Sequence, residues 1–87
     1  MNIEEAKMNK LKAKRLKAGM SQSQLADKAN LNVRTIQHYE QGSKNFDHAR
    51  IDTIFKVCLA LNCKFEDVVE NQDFIDLLDQ YNSSSNK

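Results

Sequence analysis

Proline is absent from this chain, and only two glycines and two cysteines occur among its 87 residues. With so little to punctuate it, nothing divides the sequence into separate domains, and no β-branched residues alternate in a strand-like run. The expectation is a single all-α domain. So short a chain buries a small fraction of its unfolded surface and commonly needs a staple or a partner subunit. No staple is in view. Cys58 and Cys63 lie in an apolar helical context without CxxC or HxxxH spacing, which predicts two reduced thiols, no metal and no cofactor. Nor does any apolar run approach the roughly 20 residues that span a bilayer. The N-terminal MNIEEAKMNK lacks the apolar stretch of a signal peptide, so a cytoplasmic protein without membrane contact is expected.

Catalytic chemistry is equally unsupported. His38 and His48 are accompanied by no nucleophile, paired carboxylates or ligand cluster, so no catalytic residue is assigned and the chain reads as something other than an enzyme. What is present is a polarised charge. Residues 1–44 hold nine Lys or Arg against four acids, a balance of +5, and residues 45–87 hold four against eight, a balance of −4, within a net charge of +1. One basic surface for a polyanion and one acidic part facing elsewhere would produce this split.

Helical periodicity and capping signals predict helices over about Ile3–Ala18, Ser21–Ala29, Val33–Gln41, Ala49–Leu61, Phe65–Glu70 and Gln72–Tyr81. Gly19 and Gly42 stand where C-terminal caps are wanted. Ser21 with Gln24 has capping-box spacing, Asn30 can take positive φ at a turn, and Asn32 can cap the next helix. Phe46 is the one apolar residue of a polar loop, and it is expected to anchor that loop to the core. In the fourth helix Ile51, Ile54, Phe55, Val57, Cys58 and Leu61 form a broad apolar stripe expected to be buried. The terminal segment 82–87 reads as a disordered tail.

Two short helices joined by a three-residue break, over residues 22–41, have the layout of a helix-turn-helix. Leu25, Ala26, Ala29, Leu31, Ile36 and Tyr39 suit its inward positions, with the small Ala26 where the helices would touch. At 100° per residue, Arg34, Gln37, His38 and Gln41 fall on the opposite side of the second helix, flanked by Val33 and Thr35. That face holds no acid. Its guanidinium, carboxamides and imidazole are groups that pair with base edges in the major groove of DNA.

Residues 11 to 69 resemble the phage lambda repressor and Cro family, also called the XRE family, of helix-turn-helix proteins. The match runs through LKAKRLKAGMSQSQLADKANLNVRTIQHYEQG and closes on LALNCKFEDVV. The resemblance implies a five-helix DNA-binding domain over residues 1–71, to which residues 72–81 add an amphipathic C-terminal helix. It implies an internal ion pair between Arg15 and Glu40, base reading by Val33, Arg34, Gln37 and His38, and a phosphate contact from Gln22. Around these, Ser21, Asn32, Thr35, Lys44, His48 and Arg50 are assigned to phosphate. A transcriptional regulator, in particular a repressor that binds a palindromic operator on double-stranded DNA as a homodimer, is the function so implied. Departures from the family pattern are Asn30 for the turn glycine, Lys14 for a helix-1 aliphatic residue, Tyr39 for a frequent Trp, Lys64 for a frequent Ser cap, and the missing Pro after the recognition helix. None falls on the reading face.

Phe74, Leu77, Leu78 and Tyr81 share one face of the last helix and suit either a dimer interface or packing against their own domain. The acidic half and this extra helix also permit an antitoxin or other interaction protein, which binds a toxin or second regulator as partner and autoregulates its operon.

Overall fold

The computed structural model describes residues 8–85, and no strand forms among them. Five α-helices follow in order: α1 Lys10–Lys17, α2 Gln22–Lys28, α3 Val33–Gln41, α4 Ile51–Leu61 and α5 Gln72–Ser85. Short 3-10 turns at Phe46–His48 and Phe65–Asp67 flank α4. None of the helices is long and apolar enough to cross a membrane.

The three helices that build the bihelical unit and its support start at side-chain caps. Asn9 accepts from the Lys12 amide, Ser21 from Gln24, and Asn32 from Arg34, each filling one of the donors a helix start leaves open. Gln24 returns a bond to the Ser21 amide at 2.8 Å and completes the expected capping box. Asn30, at φ 56°, turns the chain between α2 and α3, and Gly42, at φ 82°, ends α3 in the left-handed conformation. Asn62 does the same for α4 at φ 51°.

Leu11, Leu25, Ile36, Val57, Val68 and Val69 form the fully buried centre, drawn from α1, α2, α3, α4 and the segment after the second 3-10 turn. Burying each such side chain contributes about 1.5–3 kcal/mol. Ala26 and Ala29 are buried where α2 meets α3, so the two helices approach without a bulky side chain between them. Phe46 does anchor its loop, meeting the Tyr39 ring edge to face at 5.2 Å.

Several expectations need correction. The first helix does not run unbroken from Ile3 to Ala18; Asn9 is extended and caps a helix that starts at Lys10, and residues 1–7 lie outside the described ones. Helix α4 starts at Ile51 rather than Ala49, because the preceding residues are taken up by the 3-10 turn. Its buried arc is Ile54, Val57, Cys58 and Leu61 with Ala60, while Ile51 and Phe55 are 59% and 48% exposed. Phe55 and Leu59 sit a quarter turn or more from Ile54, beyond the reach of the core.

The fifth expected helix, Phe65–Glu70, is only the 3-10 turn Phe65–Asp67. Two carboxylates redirect the chain there: Asp67 takes the Lys64 amide at 2.9 Å, and Asp47 takes the amides of Glu70 and Asn71 at 2.9 and 2.8 Å. Helix α5 then continues past Tyr81 to Ser85, so residues 82–85 are helical rather than a disordered tail, since Asn and Ser propagate a helix at modest cost where Gly or Pro would end it. Residues 86–87 lie outside the described ones. The buried side of α5 centres on Ile75, with Phe74 and Leu78 half-buried beside it; Leu77 and Tyr81 are 61% and 69% exposed. The apolar face expected from Phe74, Leu77, Leu78 and Tyr81 is therefore split between core and solvent.

Candidate nucleic-acid interface

Helix α3 divides into two sides. Ile36 is fully buried, Tyr39 half-buried, and Arg34, His38 and Gln41 are exposed. Val33, Thr35 and Gln37 lie at the boundary, half-buried, and Val33 packs on the core cluster. Of the four side chains expected to read bases, Arg34 and His38 lie on the exposed surface of the helix, and Val33 and Gln37 at its edge.

The helix has one acid, and it points away from that surface. Glu40 takes Arg15 Nε at 2.7 Å on Oε2 and Arg15 Nη2 at 2.9 Å on Oε1. The two side chains are 8% and 2% exposed, the most enclosed ion pair among the described residues. Arg15 Nη1 donates to the Met20 carbonyl at 2.7 Å, which ties the α1–α2 turn to the same pair. Bidentate geometry with every polar atom engaged is the arrangement a buried pair requires, and no buried side-chain polar atom in the described residues lacks a partner. By taking Glu40 inward, α1 leaves the outer side of α3 without a carboxylate.

Gln22, expected on phosphate, donates from Nε2 to Glu40 Oε1 at 3.1 Å. One of its two amide hydrogens is therefore committed inward, a contact that spans 18 residues and that no local spacing signals. Ser21 spends its oxygen as an acceptor in the α2 cap, which leaves its hydroxyl hydrogen for an outside acceptor, and Asn32 spends Oδ1 in the same way and keeps its amide hydrogens. Thr35 is half-buried on the first turn of α3.

The basic residues separate into engaged and available. Lys10 Nζ donates to the carbonyls of Glu66 and Val69 at 3.2 and 3.0 Å, and Lys14 stands 4.0 Å from Asp67, so both serve the second 3-10 turn. Lys44 is exposed just after α3, and its amide donates to the His38 carbonyl. Arg50 meets Asp52 at 3.2 Å, but its side chain is 84% exposed, and so solvated a pair is worth little and releases readily to a phosphate. His48 is exposed with its ring against Phe74 of α5, centroids 5.7 Å apart. It joins the loop to the last helix as well as facing solvent.

The thiols are poor candidates for chemistry. Burial, then the neighbouring Cys63 thiol and the Asp67 carboxylate, push Cys58 up to about 12. Burial, followed by Asp67, raises Cys63 as well. Thiolate, the form that attacks or binds metal, is correspondingly scarce in both. Among the described residues no group of three His, Cys, Asp or Glu side chains could hold a metal ion.

No curated protein and no solved structure matches the chain. A family model described as helix-turn-helix matches residues 11–68, about two thirds of the sequence, and its span opens at the buried Leu11 and closes at the buried Val68. The span takes in the bihelical unit, the ion pair that braces it and the acid-free surface of α3, and the chain belongs to the Cro/C1-type (XRE) family of helix-turn-helix DNA-binding transcription regulators.

Proposed function

We propose that the protein is a repressor that reads a palindromic operator as a homodimer, with one α3 in the major groove of each half-site. The observation that carries this reading is the inward turn of Glu40, which leaves Arg34, Gln37, His38 and Gln41 as a polar surface free of carboxylate. Arg34 donates to guanine O6 and N7, Gln37 pairs with adenine, and the exposed part of Val33 meets a thymine methyl. Ser21, Gln22, Asn32, Thr35, Lys44, His48 and Arg50 contact phosphate around them. Residues 1–71 form the DNA-binding unit.

Selection of bound sites from a random DNA pool tests the reading. It is expected to return two inverted half-sites about one helical turn apart. Arg34→Ala then weakens operator binding by about 1–3 kcal/mol and relaxes preference at one base pair per half-site. Failure to enrich any motif would overturn the repressor reading, and uniform weakening across all sequences would move Arg34 to phosphate.

The second copy covers Leu77 and Tyr81, the α5 side chains that the core leaves in water. Sedimentation of the full chain is expected at twice the protomer mass of 10.0 kDa. Leu77→Asp with Tyr81→Asp is expected to return it to one protomer, because neither side chain contributes to the core. A monomeric unsubstituted chain would overturn the homodimer and favour a different protein as the occupant of that surface.

A further inference from the structure

The end of α3 carries a contact that bears on what His38 can read. Its backbone carbonyl accepts from the Lys44 amide and from Ser43 Oγ, both at 3.2 Å, while its ring Nδ1 lies 3.0 Å from the same Ser43 oxygen. A hydroxyl has one hydrogen. If that hydrogen pointed at Nδ1, Ser43 Oγ and the His38 carbonyl oxygen would face each other lone pair to lone pair at 3.2 Å. The hydrogen therefore lies on the carbonyl, Ser43 Oγ is left as an acceptor, and Nδ1 must carry the proton that it donates to it. In a neutral imidazole the remaining nitrogen, Nε2, is then an acceptor.

We infer that Ser43 fixes His38 as a hydrogen-bond acceptor toward the major groove, so that His38 selects a base pair by its exocyclic amine. Major-groove donors are the adenine N6 and cytosine N4 amines; guanine O6 and N7 and thymine O4 only accept. His38 stands one turn beyond Arg34 on the exposed side of α3. A guanidinium donor and an imidazole acceptor would give that surface opposite demands at two separate steps of a half-site. The inference rests on the reading of α3 as the base-contacting helix, and it makes Ser43 a positioning residue that touches no base.

The test starts from sites selected at pH 8, where histidine is ordinarily neutral, by the unsubstituted chain and by His38→Ala. The position whose preference disappears only in the variant is the one His38 reads. Operators in which the exocyclic amine at that base pair is replaced by hydrogen are then compared with operators carrying a 7-deazapurine there. Removing the amine is expected to weaken binding by the unsubstituted chain roughly fivefold, the scale of one hydrogen bond. The 7-deazapurine leaves it unchanged.

Ser43→Ala should lose the sensitivity to the amine while keeping the preferences set by Arg34 and Gln37, and Ser43→Thr should retain it. Sensitivity to the 7-deazapurine instead of the amine would overturn the inference, as would a Ser43→Ala profile identical to that of the unsubstituted chain. A profile in which Ser43→Ala weakens every position equally would show a structural role only, and overturn it too. A pool that yields no motif for the unsubstituted chain fails the operator reading itself and takes the inference with it.

Discussion

Glu40→Gln lowers the melting temperature by roughly 12 °C or more. Removing one member of a buried pair costs about 3–5 kcal/mol, because the other charge stays enclosed without its counter-ion. In a domain of this size each kcal/mol is worth about 4–8 °C. Here the stranded group would be the Arg15 guanidinium, left with the Met20 carbonyl and a neutral amide. The double variant Arg15→Met with Glu40→Leu should recover most of the loss, since an apolar pair of similar volume needs no partner. Thermal unfolding followed by circular dichroism reads both. An unchanged midpoint in Glu40→Gln would mean that α1 and α3 are held together without the ion pair, by the Leu11, Leu25 and Ile36 packing and by the bond that Asn9 Nδ2 donates to the Tyr39 carbonyl at 2.8 Å.

The second large effect is on DNA. Operator affinity should fall by about 10³-fold between 50 and 200 mM salt, as expected for a protein that neutralises around six phosphates. Lys44→Ala and Arg50→Ala should each flatten the dependence of log K on log salt by about one per bound copy. Lys10→Ala and Lys14→Ala should leave the slope unchanged, since Lys10 Nζ is bonded to the Glu66 and Val69 carbonyls and Lys14 lies beside Asp67, on the side of α1 that faces the 65–69 segment. A slope that responds to Lys14 and ignores Lys44 would place the DNA against α1 instead of the loop after α3. Titrations at four or five salt concentrations distinguish these outcomes, and net charge alone would not, because all four substitutions remove one positive charge.

Much of the bihelical unit is legible in the sequence, because the signals that build it act over three or four residues. The Ser21–Gln24 box, the Asn32 cap, the Asn30 turn and the Gly42 end all lie where spacing placed them. The inside and outside of α3 follow for the same reason, since Ile36 is its only aliphatic residue past the first turn. Less is legible in α4. Seven of its eleven residues, Ile51, Ile54, Phe55, Val57, Cys58, Leu59 and Leu61, are large and apolar, so periodicity reveals a helix but does not locate the centre of its buried arc.

The same limit misplaced the α5 face by about one residue's rotation, from a centre near Phe74 and Tyr81 to one near Ile75 and Leu78. Other features have no sequence signature at all. Asp47 reaches amides 23 and 24 residues away, and Gln22 reaches Glu40 across 18. Such contacts depend on where the folded chain returns, and no local spacing announces them. Ser43 belongs with these in kind, although the His38 it meets is only five residues back.

The division of α3 also bears on how such a protein diverges. Arg34 and His38 are exposed and touch neither the core nor the ion pair, so exchanging either should change stability within about 0.5 kcal/mol. Val33 and Gln37 are half-buried and less free. On the proposed reading of α3, descendants of this gene would acquire new operators by change at positions 34 and 38 first, with positions 33 and 37 following only as the packing beneath them is readjusted. Recognition would then evolve faster than the scaffold, and duplicated copies could part company in the DNA they bind while remaining interchangeable in fold.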